Sequence, residues 1–207
     1  MKFNSIALGK TRGSMGNFTT QNWKGINVAR AKPVDVANPN TPLQQTQRRK
    51  FALLVLWSKM LASVLNVGLS KAAIKKTVFN LFTSLAFKNG AVTDNGTSAA
   101  IDPALIQVSS GSAVNIATAT VGFTGTTYTA SITALLGSPP PADSVMYCAV
   151  VDISDSANPA LIGFGSKVGL DGTLSVTTSK DSASVEAQGY LFYINSATNQ
   201  PCDSLAV

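Results

Sequence analysis

The residues able to do chemistry in this chain are few. It has no histidine, two cysteines (Cys148 and Cys202), one glutamate (Glu186) and nine aspartates. General acid or base catalysis usually draws on histidine or on paired carboxylates. The one close pair, Asp152 and Asp155 in Val-Asp-Ile-Ser-Asp-Ser, sits where a strand would run into a turn. Aspartates there form turns by accepting from the backbone two residues on, and calcium would need more oxygen ligands than this pair offers. Cys148 lies in the middle of Met-Tyr-Cys-Ala-Val-Val, a core position rather than that of a nucleophile. Without histidine or a CxxC, a Cys/His zinc site is excluded. The two thiols form one disulfide if the final strand lies beside that of Cys148, or stay as two buried free cysteines. The glycines near the N-terminus match neither GxGxxG nor a P-loop. The chain therefore reads as a non-enzyme, with no cofactor, no metal and no small-molecule substrate.

The remaining chemical signal is positive charge interleaved with aromatic rings. Residues 1–90 hold 14 Lys or Arg against one acidic residue, Asp35, a net +13; residues 91–207 hold two against nine, a net −7. Such segregation fits a basic part that meets a polyanion and an acidic part that does not. The bland reading is a lysine-rich arm with solvated helix faces. Lys2, Lys10, Arg12, Lys24, Arg30 and Lys32, with Phe18 and Trp23, are suited to neutralising phosphates and stacking on bases. Arg48, Arg49 and Lys50 are consecutive, so on a helix they fan out over a broad surface instead of reading base edges. No recognition-helix or RNP motif accompanies them, and any binding is expected to be independent of sequence.

Three kinds of element must position these groups. Residues 1–40, punctuated by Gly9, Gly13, Gly16 and Gly25 and closed by Pro33 and Pro39, read as an extended basic arm with short strands at Asn17–Thr20 and Gly25–Arg30. Thr41-Pro42-Leu43-Gln44 combines an N-cap, a proline at the first helical position and a capping-box glutamine. The helix that follows repeats Leu43, Phe51, Leu54, Trp57, Leu61, Val64 and Leu65 at helical spacing. Its apolar zone is wider than one stripe, so Phe51, Leu54, Trp57 and Leu61 are expected to meet a second helix and a partner surface. That second helix is expected from about Lys71 to Lys88, making a hairpin over 41–89. The apolar run Phe51–Leu69 approaches membrane-spanning length, but Lys59, Asn66, Ser58 and Ser63 argue against a spanning helix, and no signal peptide is recognised.

From residue 90 onward, short alternating segments separated by Gly, Pro, Asp and Asn predict seven or eight strands: Leu105–Gly111, Ala113–Phe123, Thr127–Leu135, Ser144–Ile153, Ala160–Gly169, Gly172–Thr178, Ser184–Ile194 and Asp203–Val207. The turn Gly137–Asp143, with three prolines, cannot lie in a central strand. The fold class is α+β: a basic arm, a helical hairpin and an antiparallel immunoglobulin-like β-sandwich over 90–207.

Two stretches carry a resemblance. Asn38, Pro39, Thr41, Pro42, Gln44, Gln47 and Arg48 match an NPxTPxQxxQR block that follows a glycine-rich basic opening, and Tyr190, Phe192, Tyr193, Asp203 and Ser204 match an aromatic strand followed by a short strand beginning Asp-Ser. On these residues the chain resembles a large, uncharacterised family of proteins of similar length from Bacteroidota genomes and their mobile elements, phages included. Cys202 and the Gly137–Asp143 turn depart from that pattern. The resemblance supports the fold reading and brings no activity with it.

Together these readings predict a homo-oligomeric structural protein of a virion or similar repeating assembly, its basic half facing nucleic acid or neighbouring subunits. The alternatives are a cytoplasmic protein that binds nucleic acid without sequence preference, and an adhesin-like surface sandwich.

Overall fold

In the computed structural model the described residues are 2–3 (main chain only), 12–33, 40–155 and 158–207. The chain divides into two compact units, Met1–Thr41 and Pro42–Val207. The helical and sandwich segments, distinguishable in the sequence, belong to one unit.

The N-terminal unit is an antiparallel sheet. Strands β1 (Lys2–Phe3), β2 (Gly13–Met15), β3 (Phe18–Trp23) and β4 (Ile26–Ala31) lie in the order β1-β4-β3-β2. What reads in the sequence as an arm with two short strands is thus a hydrogen-bonded sheet, a β2-β3-β4 meander with β1 added beside β4. Lys24 and Gly25 make the β3–β4 turn with φ of 46° and 79°. Positive φ at both central residues is what the right-handed twist of a two-residue hairpin requires.

In the second unit, α1 (Pro42–Met60) begins at Pro42, where a missing N–H is no loss. The chain turns by 81° at Leu61 into α2 (Ala62–Gly68). Leu61, Val64, Leu65 and Leu69 are all 0–2% exposed, so the broad apolar zone is buried by bending around one core. No single helix among the described residues is long and apolar enough to cross a membrane. The next helix, α3, spans Val78–Lys88, shorter than the expected Lys71–Lys88. Lys75 has φ of 55°, and Thr77 is extended and accepts from Asn80 N at 3.1 Å as the N-cap, so the helix starts only after it. It ends in a Schellman motif at Gly90, with Ala91 N donating to Ala86 O (2.9 Å) and Gly90 N to Phe87 O (3.3 Å).

A hairpin of β5 (Val92–Asp94) and β6 (Ala99–Ile101), not anticipated from the sequence, packs on α1. Leu105–Gly111, expected as a strand, is not one. Its backbone is instead held by the C-terminus. Ser204 Oγ accepts from Val108 N at 2.9 Å and from Ser109 N at 3.4 Å, and Ser109 Oγ donates to Cys202 O at 2.6 Å. Asp203 N donates to Asn115 Oδ1, and the Asn115 amide returns a bond to the Asp203 carboxylate. Gly68 meets this loop from the helical side, where a Cβ would overlap the Val108 carbonyl. The helices are thereby locked to the sandwich through Cys202-Asp203-Ser204.

The sandwich-like part has two antiparallel sheets. The first contains β9 (Val145–Asp152), β10 (Ala160–Val168), β12 (Ala187–Asn195), β13 (Gln200–Pro201) and β14 (Leu205–Ala206); the second contains β7 (Ile116–Thr124), β8 (Thr127–Leu135) and β11 (Leu174–Thr177) in the order β11-β8-β7. The two sheets approach closely where the first has glycines: Gly163 and Gly165 face Val176, and Gly189 faces the Tyr128 hydroxyl. β9 and β12 are buried on both faces, with Met146, Cys148, Val150, Leu191 and Tyr193 all fully covered. On the opposite face Tyr147 stacks between Phe192 and Phe164, at ring separations of 5.3 and 6.1 Å. Burial of both faces explains why these two strands lack a clean polar alternation.

Candidate nucleic-acid interface

In an antiparallel sheet the residues of one face recur every second position, so the strand register decides which cations meet. Thr19 opposes Arg30, Gln21 opposes Val28 and Trp23 opposes Ile26, which places Arg30 and Trp23 on the same face of the N-terminal sheet. Arg12, Gly13 and Ser14, with the run from Thr19 to Trp23, line a shallow groove of about 620 Å³ where β2 meets β3, drawing on residues of both faces. The Lys24 ammonium lies 5.5 Å from the centre of the Trp23 ring, within cation–π range. Arg12, Lys24, Arg30 and Lys32 are all exposed.

Not every expected member joins them. Phe18 pairs across the strands with Ala31 and Met15 on the opposite face, so it cannot stack beside Trp23. Lys10 lies outside the described residues, as does the side chain of Lys2.

The cluster on α1 is split. Arg48 is exposed and Lys50 half-buried. Arg49, expected to face a polyanion, turns toward β5: its Nε donates to Asp94 Oδ2 at 2.7 Å and its Nη2 to Asp94 Oδ1 at 2.9 Å. The Asp94 side chain is only 1% exposed. Arg49's guanidinium draws its carboxyl well below the usual carboxylate range, against the effect of burial, and the Gly96 N–H and the Thr46 hydroxyl add to the lowering. The same bonds raise the Arg49 pKa. A bidentate pair of this kind uses the planar fork of the guanidinium, so Arg49 joins helix to hairpin and is not available to phosphate.

The expected interface residues need a similar correction. Leu54, Trp57 and Leu61 are 0–1% exposed and form the core of their own unit. Phe51 alone of the four is exposed, tilted against Phe87 at 5.1 Å. With the bend at Leu61, α1 and α2 bury these side chains without a partner.

Asp152 and Asp155 have structural partners, and both thiols are buried. Asp152 forms an ion pair with Lys180 at 2.7 Å and accepts from Ser154 N. Burial alone would raise its pKa, but the bonds from Lys180 and Ser154 outweigh it and the net shift is downward. Asp155 accepts from the Asn158 side chain at 3.1 Å. Cys148 and Cys202 are both free and buried, and burial pushes each thiol up to about 12. Among the described residues, no three His, Cys, Asp or Glu are grouped to hold a metal ion.

These features define an α+β protein: a small basic sheet in one unit, and helices locked to a β-sandwich-like body in the other. The chain belongs to a family of unknown function (DUF6266), whose model matches residues 10–189. That span includes the Asn38–Arg48 block and stops short of Tyr190 and the Asp203-Ser204 pair. No curated protein and no solved structure matches the chain.

Proposed function

We propose that this protein is a non-enzymatic structural component of a repeating assembly, in concrete form a virion or capsid of a Bacteroidota phage, whose N-terminal sheet contacts nucleic acid. The observation that carries the nucleic-acid part is the shared face of Trp23 and Arg30, with Lys24 stacked on the same indole and Arg12 in the groove that Trp23 also lines. Cations beside an exposed ring suit the phosphates and bases of a single strand. A shallow, open groove offers no pocket for a particular base, so binding is independent of sequence. The assembly part rests on the separation of a +13 portion from a −7 portion and on side chains whose chemistry is taken up by folding.

The test is sedimentation of the full-length protein, detected at protein and nucleic-acid wavelengths. Large uniform species carrying nucleic acid are expected. A small, nucleic-acid-free species that also fails to bind added single strands would overturn the reading; one that binds them without enlarging would leave a nucleic-acid-binding protein without a shell. Binding should weaken with salt, and neutralising Arg12, Lys24 and Arg30 should each reduce the log–log salt slope by about 0.7 on single strands. Lys24→Asn is the preferred change at the turn, because Asn also adopts positive φ.

A further inference from the structure

The segment from Pro103 to Ala142 contains no Asp, Glu, Lys or Arg. It includes the whole β7–β8 hairpin, and β7 lies at the end of its sheet, paired among the described residues with β8 alone. Soluble proteins protect such edges with lysine, proline, bulges or short strands. β7 spans nine residues and has neither proline nor charge; its irregularities are two register shifts at its start, between Ile116 and Thr118 and between Thr118 and Ala119, and its ladder with β8 is regular from Ala119 to Thr124. The other long edge of the sandwich-like body, β10, carries Lys167 and a register shift between Leu161 and Gly163, and Ser179 N donates to its Ile162 O. β13 and β14 have two residues each.

The register shows which backbone groups are open. The hairpin closes with Thr124 opposite Thr127, Gly122 opposite Thr129 and Thr120 opposite Ser131. With a two-residue turn these are the hydrogen-bonded pairs, so the N–H and C=O groups of Ala119, Val121 and Phe123 point away from β8. Their side chains lie on the face that carries Tyr128 and Ala130, which are buried. Val121 is nevertheless 46% exposed, because its sheet ends there.

We infer that β7 is a self-association edge, occupied by β7 of a second copy running antiparallel across a two-fold axis near Val121. In that register Val121 meets Val121 of the other copy, and Ala119 meets Phe123, small against large. Two three-stranded sheets become one continuous sheet and the exposed valine is covered. Neutrality favours this occupant specifically. A two-fold contact brings each residue close to its own kind, so charges on the hairpin would repel, and here there are none. The inference deepens the assembly reading and rests on its premise of self-association.

The test uses the full chain as wild type, Val121→Lys and Val121→Pro, with light scattering across a dilution series. Lysine at the axis sets two like charges together; proline removes an outward N–H and leaves the β8 ladder intact. The wild type should form dimers or larger species with even symmetry, and both variants should raise the dissociation constant at least about tenfold with unchanged circular dichroism. Amide exchange on the wild type gives an independent readout: Ala119, Val121 and Phe123 should be protected at high concentration and lose protection on dilution. A monomeric wild type overturns this inference and the assembly reading together. Self-association that the variants leave intact, with exchange at β7 independent of concentration, overturns this inference alone. A β7-dependent dimer that never enlarges supports it and counts against the shell.

Discussion

Replacing Ser204 with alanine removes one oxygen that holds two backbone donors. Val108 is 0% exposed and its N–H reaches Ser204 Oγ at 2.9 Å, while the bond from Ser109 N is longer at 3.4 Å. The Ser204→Ala change would leave the Val108 N–H buried without an acceptor, which costs about 1–3 kcal/mol; the weaker second bond adds little. For a chain of this size each kcal/mol moves the melting temperature by roughly 2–4 °C, so Ser204→Ala should melt about 2–12 °C below the wild type. Ser112 is exposed in the same loop, and Ser112→Ala should stay within about 0.5 kcal/mol. Thermal and urea unfolding of the three proteins side by side measures the difference. If Ser204→Ala melts together with Ser112→Ala, the Ser204 hydroxyl is not what stabilises the Val108 N–H, and its place in the Cys202-Asp203-Ser204 lock is refuted.

Gly189→Ala should destabilise by about 1–3 kcal/mol through overlap with Tyr128, whose ring carbon Cζ would stand 2.9 Å from the new methyl; adding Tyr128→Phe should recover part of the loss in chemical unfolding. Asp94 has its pKa lowered by Arg49, so the stability it contributes is complete above the ordinary carboxylate pKa and disappears as pH falls toward the folded value. The gap in urea midpoint between wild type and Asp94→Asn should therefore narrow from about pH 6 to about pH 3; a constant gap would refute the role given to the pair. Both thiols, buried and raised to about 12, should resist alkylation in the native protein near pH 8 and react fully in denaturant; labelling of either in the folded state would contradict their placement.

Much of the fold could be read locally, because its signals are local. Pro42 at the start of α1, Gly90 at the end of α3, and the alternating segments of β7, β8 and β10 all depend on neighbours within a few positions. The α3 start is also present in the sequence as Thr77, but the basic run Lys75-Lys76 reads as helix surface until Lys75 is seen at positive φ. Part of the candidate site was legible in the same way: Trp23 and the cations Lys24 and Arg30 are there in the letters, whereas the strand runs on past the expected Thr20 to Trp23, and the placing of Trp23 on the face of Arg30 needs the register.

The sequence by itself determined the scarcity of catalytic groups, the division of charge and the α+β order of elements, since composition and short-range periodicity need no partner. Tertiary structure alone decided which of three consecutive cations is consumed: Arg49 finds Asp94 forty-five residues away, and nothing near it in sequence announces that pairing. It also decided that Leu54, Trp57 and Leu61 are core, because an 81° bend at Leu61 is set by how the apolar surface can be covered and not by a local breaker such as proline. The Asp203-Ser204 pair acquires its meaning the same way. Its bonds span nearly a hundred residues, and closing a loop of that length is recorded in the folded chain and nowhere in the local sequence.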